Sequence, residues 1–170
     1  GGNEWGQLGD GTTTFSSTPV AVSGLTDVES IYAGTSHNLA LLEDGTVMAW
    51  GNNANGQLGD GTTTNSSTPV AVSNLSDAVS ISGAGGHSMA LLEDGTVMAW
   101  GWGEQGQLGT GTTTDSYTPV AVSYLTDVVA IETGSLHSMA LLEDGTVMAW
   151  GWHCGTMCGN DAIYNSPVAV

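Results

Sequence analysis

Ala90-Leu91-Leu92-Glu93-Asp94-Gly95-Thr96-Val97-Met98-Ala99-Trp100-Gly101 is the stretch that decides the fold. The same residues stand at 40–51 and at 140–151, so the chain repeats with a period of 50. A fixed period of this size marks a repeat architecture and has to be settled before any site is sought. Working outward gives units 1–50, 51–100 and 101–150 and a partial unit 151–170, read as a single array over 1–170.

Within each unit the pattern is that of short strands. A Gly-rich loop (Gly6-Gln7-Leu8-Gly9 and its copies from Gly56 and Gly106) leads to Thr-Pro-Val-Ala-Val-Ser at 18–23, 68–73 and 118–123. The proline removes one amide donor, which predicts an edge strand. Further strands are predicted over 28–33, 78–83 and 128–133, and from His37, His87 and His137 to Leu42, Leu92 and Leu142. Asp-Gly between two apolar runs predicts a hairpin, with positive φ at both central residues of a type I′ turn. The returning strand, Thr-Val-Met-Ala-Trp, is apolar or small on both faces, which implies a sheet packed between two others. Four short strands per unit, with no helical period, point to all-β propeller blades. An open stack of sheets is the competing arrangement. Blades are expected at 27–72, 77–122 and 127–170, with 1–22 supplying the last strand of another. Three blades do not close a ring, so an incomplete propeller, or one completed by other copies, is expected.

Composition bounds the partners. The chain has no Lys or Arg against 17 Asp and Glu, a formal charge of −17, and 26 regularly placed glycines. Without basic side chains, nucleic acid and anionic lipid are not expected partners. No apolar run is long enough for a membrane helix. The start, Gly-Gly-Asn-Glu, has no leader pattern, so a mature product or a piece of something larger is expected. The absence of sites for trypsin-like proteases suits an extracellular or cell-surface location.

The three motifs in fixed order resemble the regulator-of-chromosome-condensation (RCC1) repeat family. They are Gly56-Gln57-Leu58-Gly59-Asp60-Gly61, Ala33-Gly34-Thr35-Ser36-His37-Asn38-Leu39-Ala40-Leu41 and Asp94-Gly95-Thr96-Val97-Met98-Ala99-Trp100-Gly101. The resemblance implies a seven-bladed propeller, of which this chain holds about three blades. It also implies guanine-nucleotide exchange on a small GTPase, or tight inhibition of an enzyme, through loops at one propeller face. Some family members sense light through Trp clusters flanked by Arg, and this chain has no Arg.

His37, His87 and His137 recur in every unit and are read as hydrogen-bonded structural residues, because catalysis needs a residue once. Trp50, Trp100 and Trp150 are read as packing residues. Trp5, Asn52, Trp102, Trp152 and His153 break the repeat and are the candidate contact residues. Cys154 and Cys158 suit a disulfide in place of the lost Gly-Gln-Leu-Gly turn, with free thiols or a thiolate site with His153 as alternatives. No nucleophile elbow is present, and the Ser, His and Asp residues belong to the repeat, so no enzyme is expected. No cofactor is expected either; calcium on the acidic surface is the nearest exception. The predicted function is a non-catalytic scaffold that binds protein chains, including copies of itself, with filaments as one outcome.

Overall fold

The computed structural model describes residues 1–152 and 164–170. Its regular structure is entirely β. The strands are β1 (Val28–Ala33), β2 (His37–Leu42), β3 (Val47–Gly51), β4 (Ser66–Ala71), β5 (Ala78–Ala84), β6 (His87–Leu92), β7 (Val97–Gly101) and β8 (Ser116–Ala121). They continue as β9 (Val128–Thr133), β10 (His137–Leu142), β11 (Val147–Gly151) and β12 (Tyr164–Ala169). They form three antiparallel four-stranded sheets, β1-β2-β3-β4, β5-β6-β7-β8 and β9-β10-β11-β12, which are blades 1, 2 and 3.

Each proline-bearing strand lies at a blade edge, as its missing donor requires. It starts two residues earlier than the sequence pattern suggested, at Ser66 and Ser116. The reason is a bulge in the ladder: beyond it Gly51 pairs with Ser66 and Gly101 with Ser116, which carries the pairing two residues further. Residues 18–23 differ from expectation. They form no strand, and among the described residues the inner strands β3, β7 and β11 pair instead with β4, β8 and β12.

The hairpins also differ from the expected type I′. Leu42 N–H donates to Thr46 O and Gly45 N–H to Leu42 O. Gly45 has φ +79°, whereas Asp44 is not among the positive-φ residues. This is a three-residue loop, a type I turn closed by a left-handed glycine. The Asp44 carboxylate instead accepts the Thr46 amide at 2.9 Å, and Asp94 and Asp144 do the same with Thr96 and Thr146. Aspartate is present for that bond and glycine for φ.

Two glycines separate conformational cost from crowding. At Gly145 (φ +86°) an added Cβ meets nothing within 4 Å. Gly145→Ala is therefore expected to cost about 1–2 kcal/mol from backbone conformation alone. At Gly101 (φ +98°) a Cβ would lie 2.4 Å from Gly86 O, so Gly101→Ala should cost clearly more. Urea midpoints of the two variants check the order.

The apolar residues collect between the blades. Leu39, Leu41, Val47 and Ala49 of blade 1 meet Ala78, Ala90 and Trp100 of blade 2. Met89, Leu91, Val97 and Ala99 of blade 2 meet Val128, Ile131, Ala140 and Trp150 of blade 3. Each blade thus has a forward face, which packs on the next blade, and a rear face, which receives the one before.

Candidate functional site

The most organised constellation is the seam between successive blades. The loop of one blade carries Gln57, whose backbone carbonyl accepts Trp100 Nε1–H at 3.0 Å and Ser88 Oγ–H at 2.8 Å, both from the next blade. Gln107 O does the same for Trp150 Nε1 at 2.9 Å and Ser138 Oγ at 2.9 Å. Gly59 and Gly109 permit this approach. A Cβ at either would stand 2.7 Å from the indole nitrogen it faces. Trp50 and Asn38 of blade 1 find their acceptor in Gln7 O, at 3.1 and 2.7 Å.

Histidine completes the seam. His37 Nε2 lies 2.9 Å from Ser88 Oγ, and His87 Nε2 lies 2.9 Å from Ser138 Oγ. Each serine gives its only proton to the Gln carbonyl. It must therefore accept from the imidazole, which fixes the Nε2–H tautomer. The Nδ1 atoms of His37 and His87 are buried without a hydrogen-bond partner. Burial holds the His37 pKa down at about 4. It holds His87 at about 3, assisted by the neighbouring imidazoles His37 and His137. The Ala84 carbonyl opposes this slightly, but it lies outside hydrogen-bond geometry with Nδ1. Both rings are neutral at pH 7, so neither acts as a cationic ligand or proton donor there.

The seam is reinforced on the innermost strands. Thr133 N–H donates to Ser82 Oγ at 3.1 Å, and the two hydroxyls lie 2.9 Å apart. Within the first two loops a buried asparagine acts as a staple. Asn53 Oδ1 accepts Leu58 N–H at 2.9 Å, and Nδ2 donates to Thr62 O and Thr64 O, both at 3.1 Å. Asn3 repeats this with Leu8, Thr12 and Thr14. The third loop has Gly103, whose amide is held by Asp115 Oδ1 at 2.8 Å.

The candidate contact residues are scattered. Trp5 is 39% exposed. Asn52 faces inward to its own loop, with Oδ1 accepting Gln57 Nε2 at 2.9 Å and Ala54 N–H at 3.1 Å. Trp102 replaces it in the next unit, and the buried Gln107 Nε2 there has no hydrogen-bond partner. Trp102 and Trp152 are half-buried. His153, Cys154 and Cys158 lie outside the described residues. Among the described residues no group of three His, Cys, Asp or Glu converges on a metal position.

The seam has two unused halves. The rear face of blade 1 exposes Ile31 to 73%, although its equivalent Ile131 is buried in the core. The forward face of blade 3 exposes Leu141 to 38%. Met139, Leu141 and Val147 there line an open apolar hollow beside Ala130 and Glu132. Both cores inside the chain are built from the same pair of faces.

The model of the regulator of chromosome condensation (RCC1) repeat matches residues 1–41, 44–91 and 94–141. A second model of that repeat matches 28–57, 78–107 and 128–155. Protein pim1 of Schizosaccharomyces pombe is 44% identical over 45 residues, covering 26% of this chain and 8% of pim1. Human WBSCR16 superposes with a TM-score of 0.84 at 23% identity, over 99% of this chain and 45% of its own. Yeast RCC1 (Prp20), solved with Kap60, gives 0.81 at 21% identity, over 97% and 43%. Prp20p of Saccharomyces cerevisiae, described with its binding to Gsp1p and histones, gives 0.76 at 22%, over 86% and 39%. The chain spans less than half the length of these relatives, and at such identities the likeness is one of fold.

Proposed function

The chain belongs to the RCC1 repeat family, and from that premise we propose that it is a non-catalytic scaffold whose end faces bind other blades of its own kind. Propeller repeats of this family are protein-interaction modules. The observation that carries the reading is the pair of exposed faces on blades 1 and 3, which repeat the two halves of the internal seam. Residues 1–170 act as one array, because each seam spans two units and no unit buries its apolar faces alone. The acidic, Lys- and Arg-free surface favours an extracellular or cell-surface setting.

Light scattering across concentration tests this. Assemblies above the 17.2 kDa chain mass are expected. They should grow with added salt, because a charge of −17 repels its copies and salt screens that repulsion. Ile31→Asp and Leu141→Asp should each return the chain towards monomer. A single 17.2 kDa species at every concentration and salt overturns the reading.

A second reading, a regulatory binder acting through its loops, draws support from the likeness to Prp20p. It predicts binding that survives Ile31→Asp and is lost in Trp5→Ala or Trp102→Ala.

A further inference from the structure

The seam between blades 2 and 3 opens, at its hairpin end, into a groove of about 330 Å³. Val79 of β5 and Val129 of β9 give it an apolar floor. They stand 49% and 48% exposed. Glu93, Asp94, Asp127 and Glu143 give it an acidic rim. We propose that this groove docks a lysine or arginine side chain carried by a segment of another protein. The aliphatic stem lies on the two valines and the cationic head among the carboxylates. The inference goes beyond the scaffold reading and does not rest on it, because a copy of this chain has no Lys or Arg to offer.

The backbone fixes the rim. Val128 N–H donates to Gly95 O of the blade 2 hairpin at 3.1 Å, and Asp127 O accepts Glu143 N–H of the blade 3 hairpin at 2.9 Å. Asp127, in a left-handed conformation of φ +59°, is thereby held between a hairpin that carries Glu93 and Asp94 and one that carries Glu143. Asp94 Oδ1 accepts from the Thr96 amide and hydroxyl, and Asp127 Oδ2 from the Thr126 hydroxyl. Each keeps its other oxygen for a ligand. The carboxylates of Glu93 and Glu143 accept no hydrogen bond from the described residues.

The floor sets this seam apart. The seam between blades 1 and 2 has the same backbone, with Ala78 N–H donating to Gly45 O and Glu93 N–H to Asp77 O. It also carries the same Glu-Asp-Gly hairpins. Its innermost strands, however, contribute Glu29 and Val79, where the second seam has Val79 and Val129. Turn geometry accounts for the repeated hairpins, but not for a half-exposed valine on both sides of one seam.

An occupant has to suit both parts. A purely apolar group would strip water from the carboxylates without replacing it. An anion would be repelled, and a bare divalent cation would leave the valines uncovered. A long cationic side chain covers apolar surface with its methylenes and keeps its charge at the rim. The formal charge of −17 draws such a partner in, and the two valines select the length of the stem.

Fluorescence anisotropy with two labelled peptides tests the groove. One is an alternating Lys-Ala octapeptide. The other has diaminobutyric acid for lysine, which keeps the charge on a shorter stem. At pH 6.5 the shorter amine should bind about tenfold more weakly, as loss of two buried methylenes predicts. Val79→Ser/Val129→Ser keeps every charge and should erase that preference. Glu93→Gln/Glu143→Gln should weaken the lysine peptide clearly more than Glu29→Gln/Glu43→Gln, which removes equal charge outside the groove. Equal affinity of the parent for both peptides overturns the proposal, and that measurement needs no variant. Equal losses from the two glutamate pairs overturn it in favour of diffuse attraction. Calcium binding without peptide binding overturns it too. Light scattering without peptide reads the scaffold proposal separately.

Discussion

Trp100→Ala is expected to lower the unfolding free energy by about 3–5 kcal/mol, the range for truncating a buried large aromatic. Trp100 is fully buried at the centre of the seam between blades 1 and 2. Its indole also donates to Gln57 O, which would keep only the Ser88 hydroxyl. The loss is comparable to the whole stability of a marginal domain. The variant should therefore show a markedly lower urea midpoint, or be unfolded at 37 °C. Trp100→Phe separates the parts. It restores most of the apolar volume but not the hydrogen bond, so a penalty of about 1–2 kcal/mol should remain. A Trp100→Ala midpoint within error of the parent would mean that the seam does not hold the blades together.

Acid should destabilise the chain in a window set by two histidines. An unfolded histidine titrates near 6.5, whereas burial keeps His37 near 4 and His87 near 3. Between these values the unfolded state binds the additional protons, so stability falls as pH falls. From pH 6.5 to pH 4 each ring should cost on the order of 3 kcal/mol, by the usual value per pH unit. Urea midpoints at pH 7.5, 6 and 4.5 read this directly. His87→Gln should flatten the dependence by about half, whatever it does to stability at pH 7.5. A parent midpoint independent of pH over that range would contradict the neutral, Nε2-protonated seam.

A separate loss follows at lower pH. The amides of Thr46 and Thr146 and the hydroxyl of Thr96 hold Asp44, Asp144 and Asp94 below the usual carboxylate range. Their contribution is present above the unfolded value and disappears as pH falls through the folded one.

The strands from His37, His87 and His137 to the paired leucines were legible, because alternation and the Asp-Gly turn bracket them closely. The edge position of β4 was legible from one proline. The turn class was not, because Asp-Gly suits both a type I′ turn and a type I turn with a bulge. Only the hydrogen bond from Leu42 to Thr46 distinguishes them. Repetition showed that the histidines belong to the scaffold, but not what they bind. Ser88 lies 51 residues from His37, and Ser138 the same distance from His87. Unit one carries Asn38 where the others carry serine, which hides the position in an alignment of units. The staple formed by Asn3 and Asn53 was obscured in the same way by Gly103. Asn52 looked like a surface residue because it breaks the repeat, yet it serves its own loop.

The loop carbonyls of Gln57 and Gln107 cap tryptophans that belong to the following blade. Stability is therefore a property of junctions, and a chain of n blades has one junction fewer than it has blades. Inserting or deleting a whole 50-residue unit keeps every remaining junction in phase. A cut of any other length within the middle blade disturbs both of the junctions that blade makes. The number of units can therefore change in whole steps while the junctions that remain are undisturbed.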